Sequence, residues 1–378
     1  MAGIVALPAA SAGAASPGFT SPGGGSLSGH TITTAALPYA GTKSPSQIQS
    51  LAASTLPSWS QNVKAGQNGV TYTPTILGGK PTVAKSTKIN LLIIPVKFTF
   101  TSFSNATFDP TATNPGCGVT QSAAAGLAAG PEFSKSKFTA GAVKLGSVQY
   151  LDAQMRGEFW NMPGFQAKYN TVLKSKTEPL VSLNVSGGAM ASQGTCQQMG
   201  AFDINSWNTF LVGTLFPSLA AEGVSPTTLP VFLFSNVVMY NGSTANCCIG
   251  GYHSAFDNSS FSNNPQVYGV ADWDTTGNFG ANTLNDAIPS HEIAEAANDP
   301  YVNNATPSWG HVGQVSGCQA NLEVGDPLSG TSFTDTIAGV TYTLQELAYY
   351  GWFFDDNIGA NGWYSTKGSF TTGATLCS

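Results

Sequence analysis

Two long runs of apolar and β-branched residues constrain the fold of this chain more than any other feature. They are KINLLIIPVKFTF at 88–100 and LPVFLFSNVVMY at 229–240. Apolar runs of this kind, rich in β-branched and aromatic residues, are typical of buried strands. Pro95 lies inside the first run and predicts a bulge or an edge position, because proline lacks the N–H that a sheet ladder needs. The two runs predict a buried sheet.

Segments with helical spacing separate the predicted strands. In 148–160 and 204–223, apolar residues recur every three or four positions, which predicts one apolar helix face in each segment. Pro217 is expected to kink or end the second helix. Further strands are predicted at 179–186 and 266–274. The resulting order, β-α-β-α-β-β-α, favours an α/β fold with helices packed on one twisted mixed sheet.

The remainder of the chain divides by composition. Residues 1–45 are rich in small residues and proline and predict a flexible lead, and 46–88 predict a segment wrapped over the surface. The α/β core is expected to span 89–300. Residues 301–378 predict an irregular C-terminal part that completes the functional site. We interpret the aromatic cluster at 346–354 as core packing, with a platform for an aromatic substrate as the alternative.

Charge is scarce in this sequence, which excludes some partners. Charged residues make up 9% of the chain, with 14 basic and 20 acidic residues and no basic run. Nucleic-acid binding is not expected, since neutralising phosphates requires clustered Lys and Arg. No run approaches the roughly 20 apolar residues of a membrane span. So few titratable groups also favour tolerance of low pH.

Six cysteines indicate an oxidising compartment. None of them lies in a C-x-x-C pattern, so three disulfides are expected. We predict the pairs Cys117–Cys196 and Cys318–Cys377, with Cys247 and Cys248 bridged to each other or to separate partners. The first 25 residues lack a basic segment and an apolar core, which favours a mature N-terminus behind an added Met, the signal peptide having been removed. We expect a secreted monomer.

The segment PSHEIAEAANDP at 289–300 concentrates polar chemistry on one helical turn. Asp286 is expected to cap this helix and the NDP at 298–300 to end it. His291 and Glu295 are four residues apart and therefore project from one side of the helix, while Glu292 is rotated about 100° away. Two ligands one turn apart, with the carboxylate of Glu292 beside them, predict a metal site at which Glu292 takes a proton from water.

The helix resembles that of zincin metallopeptidases, although Glu295 stands where their H-E-x-x-H motif has histidine. More weakly, 247–327 is similar to the secreted EXORDIUM (phosphate-induced) family and its bacterial relatives, through CCIGGYH, SHEIAEAANDP and a later cysteine-containing segment. The zincin resemblance implies a third metal ligand from a downstream glutamate, a role that fits Glu323. It also implies an acid that orients the first histidine, a role that fits Asp326.

Two further histidines lie within about 40 residues of the helix. His311 is predicted to stabilise an oxyanion or to be the third metal ligand in place of Glu323. His253 is expected either in the same crevice, where it supports the metal ligands without binding the metal, or in the hydrophobic core. Cys318, if bridged, would hold the acidic loop. Zn²⁺ is the expected metal, and Mn, Fe or Ca are alternatives, because a His/Glu/Glu donor set is harder than His/His/Glu.

These observations predict a secreted metal-dependent hydrolase, a zinc endopeptidase acting on polypeptides. His291, Glu295 and Glu323 are its expected ligands and Glu292 its general base. Three alternatives remain open. The chain is a non-catalytic interaction protein of the EXORDIUM kind, or it hydrolyses another polymer such as a polysaccharide or polyester, or the polar turn faces solvent and binds nothing. No G-x-S-x-G serine motif is present.

Overall fold

A computed structural model gives the structure of residues 16–23, 27, 30–51, 53–192 and 194–378 as a mixed α/β fold. In chain order its strands are β1 Gly18–Gly23, β2 Thr33–Ala36, β3 Ser58–Ser60, β4 Val63–Lys64, β5 Thr71–Tyr72, β6 Thr75–Leu77, β7 Ser86–Phe100, β8 Ala106–Phe108, β9 Ser136–Ala140, β10 Val143–Val148, β11 Asn170–Thr177, β12 Val181–Ala191, β13 Met199–Asp203, β14 Thr228–Ser235, β15 Val237–Asn241, β16 Ser243–Asn258, β17 Asn264–Trp273, β18 Ala305–Val312, β19 Val315–Asn321, β20 Ser332–Ile337 and β21 Val340–Gln345. Its α-helices are α1 Pro45–Ser50, α2 Ala123–Ala129, α3 Tyr150–Glu158, α4 Ile204–Phe210, α5 Phe216–Leu219, α6 Ala287–Asn298 and α7 Tyr350–Phe354.

Seven of these strands close into a barrel. Their order around it is β12-β13-β15-β16-β17-β14-β7, and β7 pairs back with β12 to complete the ring. Parallel and antiparallel pairs both occur, so the predicted mixed sheet is confirmed at the level of fold class. The closed ring does not by itself identify a zincin-like core.

Pro95 occupies a central strand, at the point where β7 changes partner. Up to Ile93 the strand pairs with β11, and from Val96 onward it pairs with β12. On its other edge β7 pairs with β14. The predicted edge position for Pro95 is therefore wrong. The changeover between β11 and β12 tolerates proline because neither strand is paired with β7 at residue 95.

The predicted helices and strands of the core are largely confirmed. Helix α3 lies within 148–160, and α4 and α5, joined by a π-helical turn at Leu211–Leu215, lie within 204–223. The predicted strand 229–240 is two strands, because Asn236 adopts a left-handed conformation with φ of 57° that ends the first of them. The 16-residue strand β16, which contains CCIGGYH, was not predicted; its glycines and small residues obscure the strand pattern.

Opposite faces of the sheet carry two different cores. Alternate residues of β7 show this, since Leu91 and Ile93 pack in the cluster that contains Ile293 of α6, whereas Phe98 packs in the cluster around Trp207 of α4. The sheet therefore separates α6 from α4. Helix α6, which carries the polar motif, lies between the barrel and the C-terminal part of the chain.

The C-terminal part is more regular than predicted. Strands β18 and β19 form one antiparallel pair, and β20 and β21 form another. Helix α7 lies in the aromatic segment 346–354, where Tyr350, Phe353 and Phe354 are fully buried. The interpretation of this segment as core packing is confirmed. The expectation of an irregular C-terminal part is wrong for residues 305–321 and 332–345.

The predicted N-terminal lead falls partly on residues 1–15, 24–26, 28 and 29, which lie outside the described residues. Within the described ones, β1 pairs with β12 and β2 pairs with β16, so this part of the lead is attached to the barrel. In the predicted surface segment 46–88, Ile48, Leu56 and Trp59 are buried in the main core. Their burial ties that segment to the body of the protein.

Three disulfides link the six cysteines. They join Cys117 to Cys196, Cys247 to Cys248, and Cys318 to Cys377, so the two predicted long-range pairs are confirmed. The last of them fastens the C-terminus to β19. None of the helices in the described ranges is long and apolar enough to cross a membrane.

Two buried glutamates outside the polar turn of α6 predict that the free energy of unfolding falls as pH rises. Burial raises the pKa of both Glu132 and Glu158 from 4.5 to about 8. Between these values the folded chain holds protons that the unfolded chain has released, so the free energy of unfolding should fall from about pH 4.5 to about pH 8. One pKa unit corresponds to about 1.4 kcal/mol, so we expect each of the two glutamates to contribute a loss of a few kcal/mol, measurable by urea unfolding at both ends of this range.

The variant Glu158→Gln is the matched test of this pH dependence. Its amide does not ionise, and its unfolding free energy should therefore vary less with pH than that of the wild type. A wild-type protein that becomes more stable between about pH 5 and about pH 8 would contradict the prediction.

Candidate metal centre

Every residue of α6 is buried. The helix packs on β16 and β17 on one side and on β21 on another, so its polar side chains point into the protein. His291 has no exposed surface, and Glu292 and Glu295 are each 1% exposed. The alternative of a solvent-facing turn is therefore wrong. Asp286 occupies the N-cap position, but its side chain makes no capping hydrogen bond in the described structure.

Strand β16 presents small residues and one histidine to α6. Gly251, His253 and Ala255 alternate onto the face that carries α6. At Gly251 an added Cβ would lie 2.8 Å from both Cγ and Oε1 of Glu292. The absence of a side chain at this position lets the helix approach closely enough to bring His253 beside its glutamates.

A hydrogen bond to Gln345 places a proton on Nδ1 of His291. Its Nδ1 lies 2.9 Å from Oε1 of Gln345, whose Nε2 donates to the carbonyl of Gly325 at 2.6 Å. Because that amide nitrogen is already donating, Oε1 is the accepting end, and Nδ1 of His291 carries the proton. Its Nε2 therefore points toward Oε2 of Glu295 at 2.9 Å and Oδ1 of Asp326 at 3.7 Å.

The histidine of β16 is held in the same manner but through the opposite nitrogen. Nε2 of His253 lies 3.1 Å from the backbone carbonyl of Asp299, and since a carbonyl only accepts, this nitrogen carries a proton. Its Nδ1 lies 3.5 Å from Oε2 of Glu295 and 3.7 Å from Oε2 of Glu292. Holding one imidazole nitrogen by its N–H so that the other is presented is the usual arrangement around a metal-binding histidine.

Glu295 lies between the two histidines. Its Oε1 accepts from the backbone N–H groups of Gly325 and Asp326 at 3.0 and 3.3 Å, while Oε2 faces both imidazoles. Burial alone would raise the pKa of Glu295, but the attraction of His291 and His253 outweighs it and lowers that pKa. Glu295 is thus an ionised carboxylate shared by both histidines.

Glu292 is a buried carboxyl group whose two oxygens have no hydrogen-bond partner among the described residues. Burial raises its pKa to about 7, opposed by the nearby histidines. A glutamate with a pKa near neutrality is suited to taking up and releasing a proton. Glu295, one turn along the helix, has a lowered pKa and is therefore not suited to this proton transfer.

Acidic groups outnumber basic ones in this buried cluster. The cluster contains two histidines and five acidic residues, all at most 8% exposed. The acidic residues are Glu292, Glu295, Asp299, Glu323 and Asp326. Burial raises the pKa of Glu323 well above its ordinary value and that of Asp326 to about 7. The protein therefore binds excess protons here or has a binding site for cations.

The cluster approaches the surface at Asp326. This residue forms part of the wall of a crevice of about 400 Å³ that is also lined by β2 and by residues 314–319. Thr34 of β2 closes the inner end, with Oγ1 2.8 Å from Nε2 of His291. Gln314 holds β2 in place, accepting from the backbone N–H of Thr34 at 2.9 Å and donating to its carbonyl at 3.0 Å.

The structure brings together most of the residues predicted for the site, with some exchanged positions. Ligand atoms of His291, Glu295 and Asp326 lie within 4.8 Å of one another, as do those of His253, Glu292 and Glu295. Glu323, the predicted third ligand, instead lies beside Nε2 of His253 at 3.7 Å. The position predicted for Asp326, at the second nitrogen of the first histidine, is occupied by Gln345.

His311 is exposed and lies next to the Cys318–Cys377 disulfide, with its ring nitrogen within 4.8 Å of both sulfurs. The described contacts do not associate it with α6, and its role as oxyanion stabiliser or third ligand stays a prediction. Sequence reasoning missed Thr34, Gln314 and Gln345. These are neutral residues far from the motif, and only a sequence signal linking distant positions would have identified them.

Comparison of the chain with protein-family models, curated protein sequences and solved structures gives no match. The geometry of the site is therefore the basis for assigning a function.

Proposed function

We propose that this protein is a metal-dependent hydrolase whose catalytic cation is bound by His291, Glu295 and Asp326. One observation carries the proposal: Gln345 fixes the proton of His291 on Nδ1, which leaves Nε2 to face the two carboxylates inside a buried site. An imidazole nitrogen beside two carboxylates is a donor set for a divalent transition metal, which would take the place of the Nε2 proton.

The spacing of these donor atoms fits a single ion. Donors about 2.1 Å from a cation lie about 3.0 Å apart at a right angle and about 3.4 Å apart at a tetrahedral angle. Nε2 of His291 is 2.9 Å from Glu295 and 3.7 Å from Asp326, close to this range. Zn²⁺ suits the site, and the two carboxylates make Mn, Fe or Ca alternatives.

Glu292 is the proposed general base. A bound cation polarises the substrate carbonyl and makes water next to it more acidic. Glu292 takes a proton from that water while the water oxygen bonds to the carbonyl carbon. The proton then passes to the leaving amine as the C–N bond breaks, so Glu292 ends the cycle unprotonated.

An extended polypeptide is the proposed substrate, because an extended segment of the protein itself, strand β2, already lies at the mouth of the site. Strand β2 runs parallel to β16 there, and Gln314 pairs with both backbone groups of Thr34. Backbone pairing of this kind accepts peptides of varied sequence. It favours a peptide over a polysaccharide or polyester, neither of which carries amide N–H groups in this pattern.

The three disulfides support a secreted protein, since such bonds persist in oxidising compartments.

The zincin likeness rests on the α6 segment, and we carry over from it the general-base role of Glu292 and the endopeptidase reaction.

Peptide hydrolysis before and after metal removal tests the proposal. The full chain should cleave casein, should lose that activity with a chelator that also removes the bound ion, and should regain it when Zn²⁺ is restored. Activity unchanged in metal-free protein would exclude the mechanism.

Deep burial of the donor atoms favours a second candidate function, a non-catalytic secreted protein in which the metal is structural. Bound metal without hydrolysis of any polymer would select this second function.

A further inference from the structure

Four buried polar atoms next to the proposed cation site are not among its ligand atoms. Within the described structure, Nδ1 of His253, both carboxyl oxygens of Glu292 and Oε2 of Glu323 lack a hydrogen-bond partner. His253 is completely buried, and the two glutamates are 1% exposed. Unpaired polar atoms are costly in a protein interior, which indicates that something bound there supplies their partner.

One of these atoms, Nδ1 of His253, lies beside the Glu295 oxygen that already faces His291 and beside an oxygen of Glu292. Nδ1 of His253 lies 3.5 Å from Oε2 of Glu295 and 3.7 Å from Oε2 of Glu292. Both separations are near the roughly 3.4 Å expected between two donors on one tetrahedral ion. The backbone carbonyl of Asp299 holds the far nitrogen of His253 by its N–H, which leaves Nδ1 as the nitrogen that faces the two carboxylates.

We propose that the cluster holds two divalent cations bridged by Oε2 of Glu295, the second one bound by His253, Glu295 and Glu292. The inference rests on the proposed function for the first cation. One oxygen of Glu292 binds the second cation, and the other remains free to take the proton. Two cations also offset the excess of carboxylates, which a single divalent ion leaves largely uncompensated.

A bridge explains why residue 295 is a glutamate. One oxygen of a carboxylate contacts two cations, with the other oxygen held by the N–H groups of Gly325 and Asp326. A neutral histidine at this position has one lone pair and serves a single cation. Paired cations about 3.5–4 Å apart are a common arrangement in hydrolytic enzymes.

Metal stoichiometry tests the bridge without depending on activity. After loading with Zn²⁺ and removal of excess ion, elemental analysis of the full chain should find two ions per chain. His253→Asn and His291→Asn should each retain one at most. His311→Asn should retain two, since His311 lies outside both donor sets and asparagine tolerates its φ of 54°.

A second measurement needs no variant. Wild-type protein loaded with Mn²⁺ should give the electron paramagnetic resonance spectrum of an exchange-coupled pair. One ion per chain with an isolated Mn²⁺ spectrum would overturn the bridged pair while leaving the single-cation hydrolase intact. No bound ion would overturn both proposals.

Discussion

Replacing Glu292 by glutamine should reduce peptide hydrolysis by about 10²–10⁴-fold, the range that general-base catalysis contributes. The amide has nearly the same shape as the carboxyl group but cannot accept the proton of the attacking water. Its carbonyl oxygen still binds a cation, so the metal content should match that of the wild type. The measurements are kcat/KM on a peptide substrate and elemental analysis of the same preparation.

Glu222→Gln is the matched control for this substitution. Glu222 is exposed on the turn that follows α5, so the same chemical change there should leave kcat/KM unaffected. If Glu292→Gln retained wild-type activity and metal, Glu292 would lose its proposed role, although the cation site would stand. Loss of metal together with activity would assign Glu292 to binding alone.

The second large effect is expected from a single added methyl group, in Gly325→Ala. A Cβ at this position would lie 2.3 Å from Nδ1 and 2.4 Å from Cε1 of His291, well inside van der Waals contact. Gly325 also donates its N–H to Glu295 and accepts from Gln345, so shifting the backbone disturbs both groups that set the histidine. We expect metal affinity to fall at least about tenfold and stability by about 1–3 kcal/mol.

Gly317→Ala separates this effect from the loss of a glycine. Nothing lies within 4 Å of the Cβ position of Gly317, and its backbone angle suits any residue. This variant should bind metal and unfold like the wild type. A Gly325→Ala protein with unchanged metal affinity would show that the packing of His291 against Gly325 does not position the ligand. Calorimetric titration with Zn²⁺ and thermal unfolding provide the two measurements.

The sequence predicted the parts of the fold that have strong local signals. The run at 88–100, the helices at 148–160 and 204–223 and the polar helix were all identified, because apolar spacing reports directly on local structure. Barrel closure was missed. It depends on β7 pairing with two strands in succession, and that is a non-local choice with no periodicity of its own.

In the site, too, the contacts within one helix were predicted and the contacts between distant residues were not. Helical spacing placed His291 and Glu295 together, since four residues make about one turn. The orienting contact to His291 was assigned to an acid, whereas Gln345 makes it from 54 residues downstream. Burial of the whole helix was also missed, because the apparent polarity of SHEIAE conceals a segment with no solvent-facing side. Glu295 is tolerated in the interior through the histidines and backbone N–H groups around it.

Strand β2 has a consequence for how ions reach the cluster. Thr34 covers Nε2 of His291, and Gln314 fastens that strand through both of its backbone groups. We therefore expect a cation to reach Nε2 of His291 only when β2 moves away from β16.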